Sequence, residues 1–474
     1  MSSFTVIAVV STLDLSRLLF ALLSAVPGIL VCGSLLYLLI LLGAAVIARP
    51  RRSKWRTQES SAAVPQLAVV IPAHDEELVL AATLDSLRRQ DYPADAVKVV
   101  VIADNCSDTT AAIACEWRAV TLERQNRAER GKGYALEWAF ERLLGSSSPT
   151  ASAEAYIIVD ADTQLAPDFL AVVARRLQRD ANGKSIAESV VVIQGRYGVL
   201  NPGEGWRTAL MTAAFDLCNH IRLQGAANLG LSVGLKGNGM AFSRALLQKA
   251  RWQGRSITED IDYGLDLLLE HDVSVGYEPK ARVWAQMPAG DAPAASQRER
   301  WERGRYRLLG QRVPGLLRAG LLRRKLALFV AAVDLMIPPL AELLGLLLLW
   351  GAITAVGITV KGLPVWAFWV WLGAGASFVL YVLVGLKAAG ANGETFRALL
   401  HVPVYVSWKL ILYLRRFIGT RFRRNAAGSV TSSSAALQSD GLSADDWIRT
   451  ERTAVPVAVP PISGTSGRQE DPKR

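Results

Sequence analysis

Polarity divides the chain into long apolar stretches and a mixed middle. Between Arg17 and Arg49 no charged residue occurs, a run longer than the about 20 residues a helix needs to cross hydrocarbon. A cleaved leader would carry a positive start and a shorter apolar segment, so the pattern predicts a crossing helix. Arg49, Arg51, Arg52, Lys54 and Arg56 follow at once. Such a cluster is retained on the cytoplasmic side, which places the N-terminus outside and the next domain inside. Apolarity returns over 326–360, interrupted by Asp334, Pro338, Pro339 and Glu342, and again over 362–386, which is uncharged and rich in tryptophan. An acid at mid-bilayer costs about 3 kcal/mol, so 326–337 is expected at the interface and 340–360 as the crossing. Residues 401–414 hold Lys409 in an apolar frame and run into Arg415, Arg416, Arg421, Arg423 and Arg424. That pattern predicts an amphipathic helix on the anionic inner leaflet.

The expected order is a transmembrane helix with its basic flank (1–56), a cytoplasmic domain (57–295), an interfacial segment (296–325), two crossings (326–387), an interfacial helix (388–424) and a flexible Ser/Ala/Gly/Pro tail (425–474). A charged island around Trp447 interrupts the tail and has the composition of a docking segment. This is the plan of a multi-pass protein of the cell (inner) membrane.

In the middle, short β-branched runs alternate with helical periodicity. Strands are predicted at 67–71, 97–103, 119–122, 156–159 and 190–194, and helices at 77–90, 109–117 and 133–144. Continuous apolar strands with helical crossovers predict an α/β fold, a mostly parallel sheet covered on both faces. In such sheets ligands bind beyond the carboxyl ends of the strands. The segments that follow each run are Pro72-Ala73-His74-Asp75-Glu76, Asp104-Asn105 and Asp160-Ala161-Asp162. Asp160 and Asp162, one residue apart at a strand end, can converge on a divalent ion together with phosphate oxygens. Asp260-Ile261-Asp262 has the same spacing, so the strand context carries the distinction.

Composition narrows the function further. Hydrophobic residues make up 51% of the 474, which excludes a disordered chain. The four cysteines fit no disulfide or metal spacing, and four histidines exclude a His-rich centre. The net charge of +11 is concentrated beside apolar segments, as in Arg298, Arg300, Arg303, Arg305 and Arg307; lipid headgroups, and no nucleic acid, are the partners it implies. Neither a P-loop nor a G-x-G-x-x-G turn is present: Asn126 and Gly133 occupy positions where the former needs glycine and Ser/Thr.

Six ordered segments resemble the family 2 glycosyltransferases, particularly membrane-bound members that build polysaccharides. They are Val70-Ile71-Pro72-Ala73-His74-Asp75-Glu76-Glu77, Ala103-Asp104-Asn105-Cys106-Ser107-Asp108, Gly131-Lys132-Gly133, Val159-Asp160-Ala161-Asp162, Thr258-Glu259-Asp260 and Gln297-Arg298-Glu299-Arg300-Trp301. The resemblance implies the glycosyltransferase A-type fold, with flanking transmembrane and interfacial helices, and a nucleotide-sugar site formed by Pro72, Ala73, Glu76, Asp104, Lys132, Asp160, Gly239 and Arg300. Asp104 matches the acid that contacts the uracil or ribose. Ala103 stands where the family has a companion acid, which leaves the base open, with UDP favoured. Lys132 and Arg300 match cations at the diphosphate. Asp160 and Asp162 match the D-x-D ligands of Mg²⁺ or Mn²⁺, with Asp162 favoured as the direct ligand. Asp260 matches the catalytic base, and Glu259, Gln297 and Trp301 belong to the acceptor side.

The expected activity is inverting transfer of a sugar from a nucleotide-sugar to a glycan or lipid-linked acceptor. Displacement builds charge on the departing diphosphate, which cations stabilise, while a carboxylate takes the acceptor's proton. A processive synthase that also exports its polymer is the alternative within the class, with a homo-oligomer or an export partner supplying the pore. A non-catalytic membrane scaffold is the alternative outside it, and that reading predicts broken motifs.

Overall fold

The structure is a computed structural model that describes residues 3–47, 64–254, 256, 258–288, 290–361 and 364–409. The basic cluster at 49–56, residues 410–414 of the expected 401–414 helix, the tail and its Trp447 island lie outside the described residues.

A long helix α1 (Ser3–Val46) leads into an α/β domain. There β1 (Leu67–Ala73), α2 (Leu80–Arg88), β2 (Val97–Asp104), α3 (Thr110–Glu116), β3 (Val120–Arg124), α4 (Lys132–Leu143) and β4 (Ala155–Ile158) alternate as predicted. The continuation is β5 (Thr163–Leu165), α5 (Phe169–Asp180) and β6 (Val192–Val199), then α6 (Trp206–Phe215), a π-helical turn (Asp216–Ile221) and α7 (Arg222–Asn228). After these come β7 (Met240–Ser243), α8 (Arg244–Lys249), α9 (Glu259–Leu269) and β8 (Gly276–Ala285). The eight strands form one sheet in the order β3-β2-β1-β4-β7-β6-β8-β5. Strands β1 to β4 are mutually parallel, and so are β6 and β8; β7 runs antiparallel to β4 and β6, and β5 to β8. The sheet is thus mixed. Both faces are buried: Val70, Ile102 and Tyr156 point into one apolar layer, and Val69, Ile71 and Ile157 into the other. That double burial explains why the strands read as unbroken apolar runs.

The register of β6 against β8 shifts between Gly195 and Arg196. Pro279 of β8 has no N–H to donate to a ladder, so the strand bows out there and pairs again from Arg282.

The C-terminal third is helical: α10 (Asp291–Arg323), α11 (Leu326–Met336), α12 (Leu340–Lys361), α13 (Trp366–Ala389) and the short α14 (Gly393–Ala398). Three helical segments, Phe20–Val46, Leu340–Val360 and Trp366–Ala389, are long and apolar enough to cross a membrane. Helix α7 crosses α1 so closely that a methyl group on Gly225 would meet the Leu41 carbonyl at 2.1 Å, the small-residue contact by which helices approach at backbone distance.

Both acids of the 326–360 stretch are partnered. Asp334 accepts from Tyr37 Oη (2.8 Å) and Arg222 Nε (2.7 Å), joining α11 to α1 and α7. Glu342 lies 3.0 Å from Lys409 Nζ, which also lies 2.8 Å from Glu302. Lys409 is therefore buried against α10 and α12 instead of facing headgroups, because two acids draw it inward. Residues 402–409 are helical, in accord with the amphipathic pattern.

Candidate active site

Parallel pairing brings the carboxyl ends of β1, β2 and β4 to one edge, and the site forms there. The antiparallel β7 begins at the same edge, so the loop before it, with Gly237 and Asn238, joins the site. The start of α9 and the first turns of α10 close it. The resulting cleft has a volume of about 660 Å³ and is lined by Pro72, Ala73, Glu76, Asp104, Lys132, Asp160, Asp162, Glu259, Asp260, Gln297, Arg300 and Trp301. Every residue that the resemblance places at the site borders it except Gly239, which backs onto Val283, where a methyl group would meet Val283 Cγ2 at 2.8 Å.

Lys132 is the hub. Its Nζ donates to Asp160 Oδ1 and to the Gly237 carbonyl, both at 2.5 Å. A methyl group on Gly237 would lie 3.2 Å from Asp260 Oδ2 and 3.7 Å from Lys132 Nζ, so Lys132, Asp160 and Asp260 form one compact set. Asn238 braces it: its Oδ1 accepts from the Asp160 backbone N–H (3.2 Å), and its Nδ2 donates to Thr163 Oγ1 (2.8 Å).

Burial sets the protonation of the acids. It pushes the Glu259 carboxyl up to about 7, with the Asp260 charge adding to the rise and Lys132 opposing it. Burial also raises Asp260, against the pull of Lys132 and of backbone N–H groups in the first turn of α9. Lys132 is held above its usual range because the Asp160, Glu259 and Asp260 charges outweigh its burial.

Asp104 sits at the end of β2, buried, with Oδ1 accepting from Arg124 Nη1 (2.8 Å) and Asn105 Nδ2 (3.0 Å). Burial raises its pKa against the Arg124 charge. His74 Nδ1 donates to the Asp104 carbonyl at 2.6 Å. At the opposite end of the cleft, Trp301 is 36% exposed, its ring 6.5 Å from that of Phe215.

Lys236, Arg130 and Arg124 went unrecognised in the sequence. Lys236 lines the cleft and is lowered by burial, partly offset by the Asp334 and Asp260 charges. Arg130 sits beside Lys132 at the cleft wall, with Nε buried and without a hydrogen-bond partner among the described residues. Arg124 closes β3 and holds Asp104. A lysine before Gly237-Asn238-Gly239 and an arginine before Gly131 were the available signals.

For a metal ion, Asp160 keeps its side chain 31% exposed beside the buried Asp162, and both border the cleft. Two carboxylates one residue apart suit a hard cation bound together with diphosphate oxygens. A separate grouping, Asp75, Cys106 and Asp108, lies off the lining, and Asp75 Oδ1 accepts there from the Ser107 N–H at 2.6 Å.

A model of the family described as "Glycosyltransferase like family 2" matches residues 65–304, half of the chain. The chain belongs to this glycosyltransferase family. Among curated relatives, the probable glycosyltransferase YdaM of Bacillus subtilis is 26% identical over 263 residues, covering 53% of this chain and 57% of its own. The beta-monoglucosyldiacylglycerol synthase of Trichormus variabilis is 29% identical over 271 residues, covering 55% of this chain and 53% of its own. The chain thus spans little more than half the length of the curated relatives it matches. A solved structure, mannosyltransferase PcManGT from Pyrobaculum calidifontis in complex with GDP-Man and Mn²⁺, aligns with a TM-score of 0.48 at 18% identity, covering 80% of this chain and 98% of that one. For this family 2 glycosyltransferase the α/β architecture is the A-type fold expected from the sequence, flanked by apolar helices.

Proposed function

We propose that this family 2 chain is an inverting, metal-dependent glycosyltransferase. It takes a sugar from a nucleotide-sugar, with UDP favoured as the nucleotide, and passes it to a glycan or lipid-linked acceptor at the cytoplasmic membrane face. The observation that carries the proposal is the compact Lys132–Asp160–Asp260 set in a cleft that all six sequence segments border.

The cleft has two ends with different chemistry. Pro72, Ala73 and Asp104, with Lys132 and Arg130 nearby, form a polar end suited to a nucleotide diphosphate. Trp301, Phe215, Tyr197 and Met287 form an apolar end suited to a sugar face or another apolar acceptor. Asp160 and Asp162 would hold the divalent ion, which supplies charge neutralisation for the diphosphate when bound. Lys132, Lys236 and Arg300 contribute fixed positive charge to the same cleft. Asp260, raised by burial yet held near cations, is poised to accept a proton from the acceptor hydroxyl. One base and a single displacement opposite the diphosphate invert the anomeric centre.

The three apolar helices support membrane attachment, and the Arg49–Arg56 cluster supports the cytoplasmic orientation. The name beta-monoglucosyldiacylglycerol synthase among the relatives supports sugar transfer in lipid surroundings. The test uses the full chain in membranes with a panel of labelled sugar nucleotides. Asp260→Asn is expected to bind the nucleotide as wild type does and to transfer no sugar. Unchanged turnover in Asp260→Asn would remove the base assignment.

A further inference from the structure

A second cavity, of about 250 Å³, adjoins the apolar end of the cleft. Met211, Ala214, Cys218 and Met287 belong to both linings, so the two spaces meet across α6 and the π turn. Beyond that junction the walls are Leu210, Leu340, Ala341, Leu344, Phe378 and Val382. Five of those six lie on α12 or α13 within the segments apolar enough to cross a membrane. The remaining wall carries Lys409 and Glu302, whose charges are 2.8 Å apart, and two arginines laid over aromatic rings, Arg207 over Trp206 at 4.4 Å and Arg298 over Tyr405 at 4.7 Å. The annex therefore runs from the membrane helices to the acceptor end of the cleft, away from the nucleotide end.

We infer that the annex holds the hydrocarbon chain of the acceptor, and that the acceptor is a membrane lipid bearing a free hydroxyl. The inference rests on the sugar-transfer reading above and specifies its acceptor. An apolar space opening on membrane helices takes a hydrocarbon chain for the same reason that lipid tails leave water. The base decides the headgroup. A phosphate acceptor is ionised near neutral pH and has no need of a proton acceptor, whereas an alcohol does. The step balances with a hydroxyl. The lipid oxygen forms a bond to the anomeric carbon, the bond from that carbon to the diphosphate oxygen breaks with its electron pair on the diphosphate, and the hydroxyl proton passes to the Asp260 carboxylate.

The test uses full-length protein in phosphatidylcholine nanodiscs containing a diacylglycerol with a diazirine in one acyl chain. Irradiation is expected to label Leu210, Leu344 or Val382, and Ala341→Trp, which fills the annex, is expected to cut that label at least fivefold with sugar-nucleotide affinity unchanged. Leu344→Ala, which widens the space, should keep the label, and so separates blockage from misfolding. Label confined to the exposed Leu348, Leu349 and Leu380, or insensitive to Ala341→Trp, overturns the annex as a lipid site. In parallel, membranes receive labelled sugar nucleotides. Product in the organic phase that survives mild acid is the expected result. Product in water only, or released by mild acid as a glycosyl phosphate would be, overturns the lipid-hydroxyl acceptor. No turnover of any sugar nucleotide, with annex labelling intact, refutes sugar transfer and leaves the lipid site standing.

Discussion

Replacing Glu259 by glutamine tests the electrostatics of the site through stability, independently of any substrate. Glu259 is 9% exposed and opens α9 beside Asp260. Burial and the Asp260 charge push its carboxyl to about 7 in the folded protein, against about 4.3 in an unfolded chain. Between those two pH values the folded state keeps a proton that the unfolded state has released. Stability therefore falls as pH rises through the window. The difference amounts to roughly 4 kcal/mol once both states are ionised. Glu259→Gln removes the titration while keeping the shape, so the variant should gain on wild type by that amount between about pH 4.5 and 8. For a domain of this size about 1 kcal/mol moves Tm by about 2–4 °C, so the gap in Tm should widen by roughly 8–16 °C. The assay is intrinsic tryptophan fluorescence on heating in detergent, at half-unit pH steps, for both proteins. Other titrating groups cancel in the difference. A gap that stays flat across the range would refute the claim that burial holds Glu259 protonated.

Three further outcomes follow from named contacts. Gly133→Ala places a methyl group 2.7 Å from the Gly254 carbonyl oxygen and 2.8 Å from its Cα; overpacking backbone against backbone costs about 1–3 kcal/mol, and calorimetry should show weaker nucleotide binding, with unchanged affinity counting against the close approach. Lys409→Ala removes the cation shared by Glu302 and Glu342, which are 11% and 9% exposed; removing one partner of a buried ion pair costs about 3–5 kcal/mol, seen as a Tm several degrees lower, and an unshifted Tm rejects the network's role. Asp162→Ala should lose stimulation by Mg²⁺ or Mn²⁺ while keeping its fold by circular dichroism; a wild type indifferent to chelators contradicts the ligand assignment.

Much of this was legible along the chain because the signals are local. Strands β1 to β4 announce themselves by apolar runs whose two faces are both buried, and helices α2 to α4 by period. Strand β7 escaped notice: Met240-Ala241-Phe242-Ser243 is too short to show a period, and its antiparallel place between β4 and β6 depends on partners far away in sequence. Strand β8 was hidden by Pro279 and its charged residues, which the bowed register accommodates. The 33-residue α10 was read only at its Gln297–Trp301 motif, since most of its arginines signalled headgroups. Asp334 and Glu342 read as costly acids in apolar surroundings; the partners that relieve them, Arg222, Tyr37 and Lys409, lie between 67 and 297 residues away.

The sequence by itself determined the family, the α/β class, the three apolar helices and a set of site residues nearly all of which border the cleft. These depend on composition and short motifs, which a linear text preserves. Only the tertiary structure decided that Lys132 links Asp160 to the Gly237 loop, that Glu259 and Asp260 are buried beside Lys132, and that an apolar annex adjoins the cleft at the end bearing Trp301. Those are properties of distances between segments remote in the chain. They arise because parallel strand ends, one antiparallel strand and the membrane helices pack around a common edge.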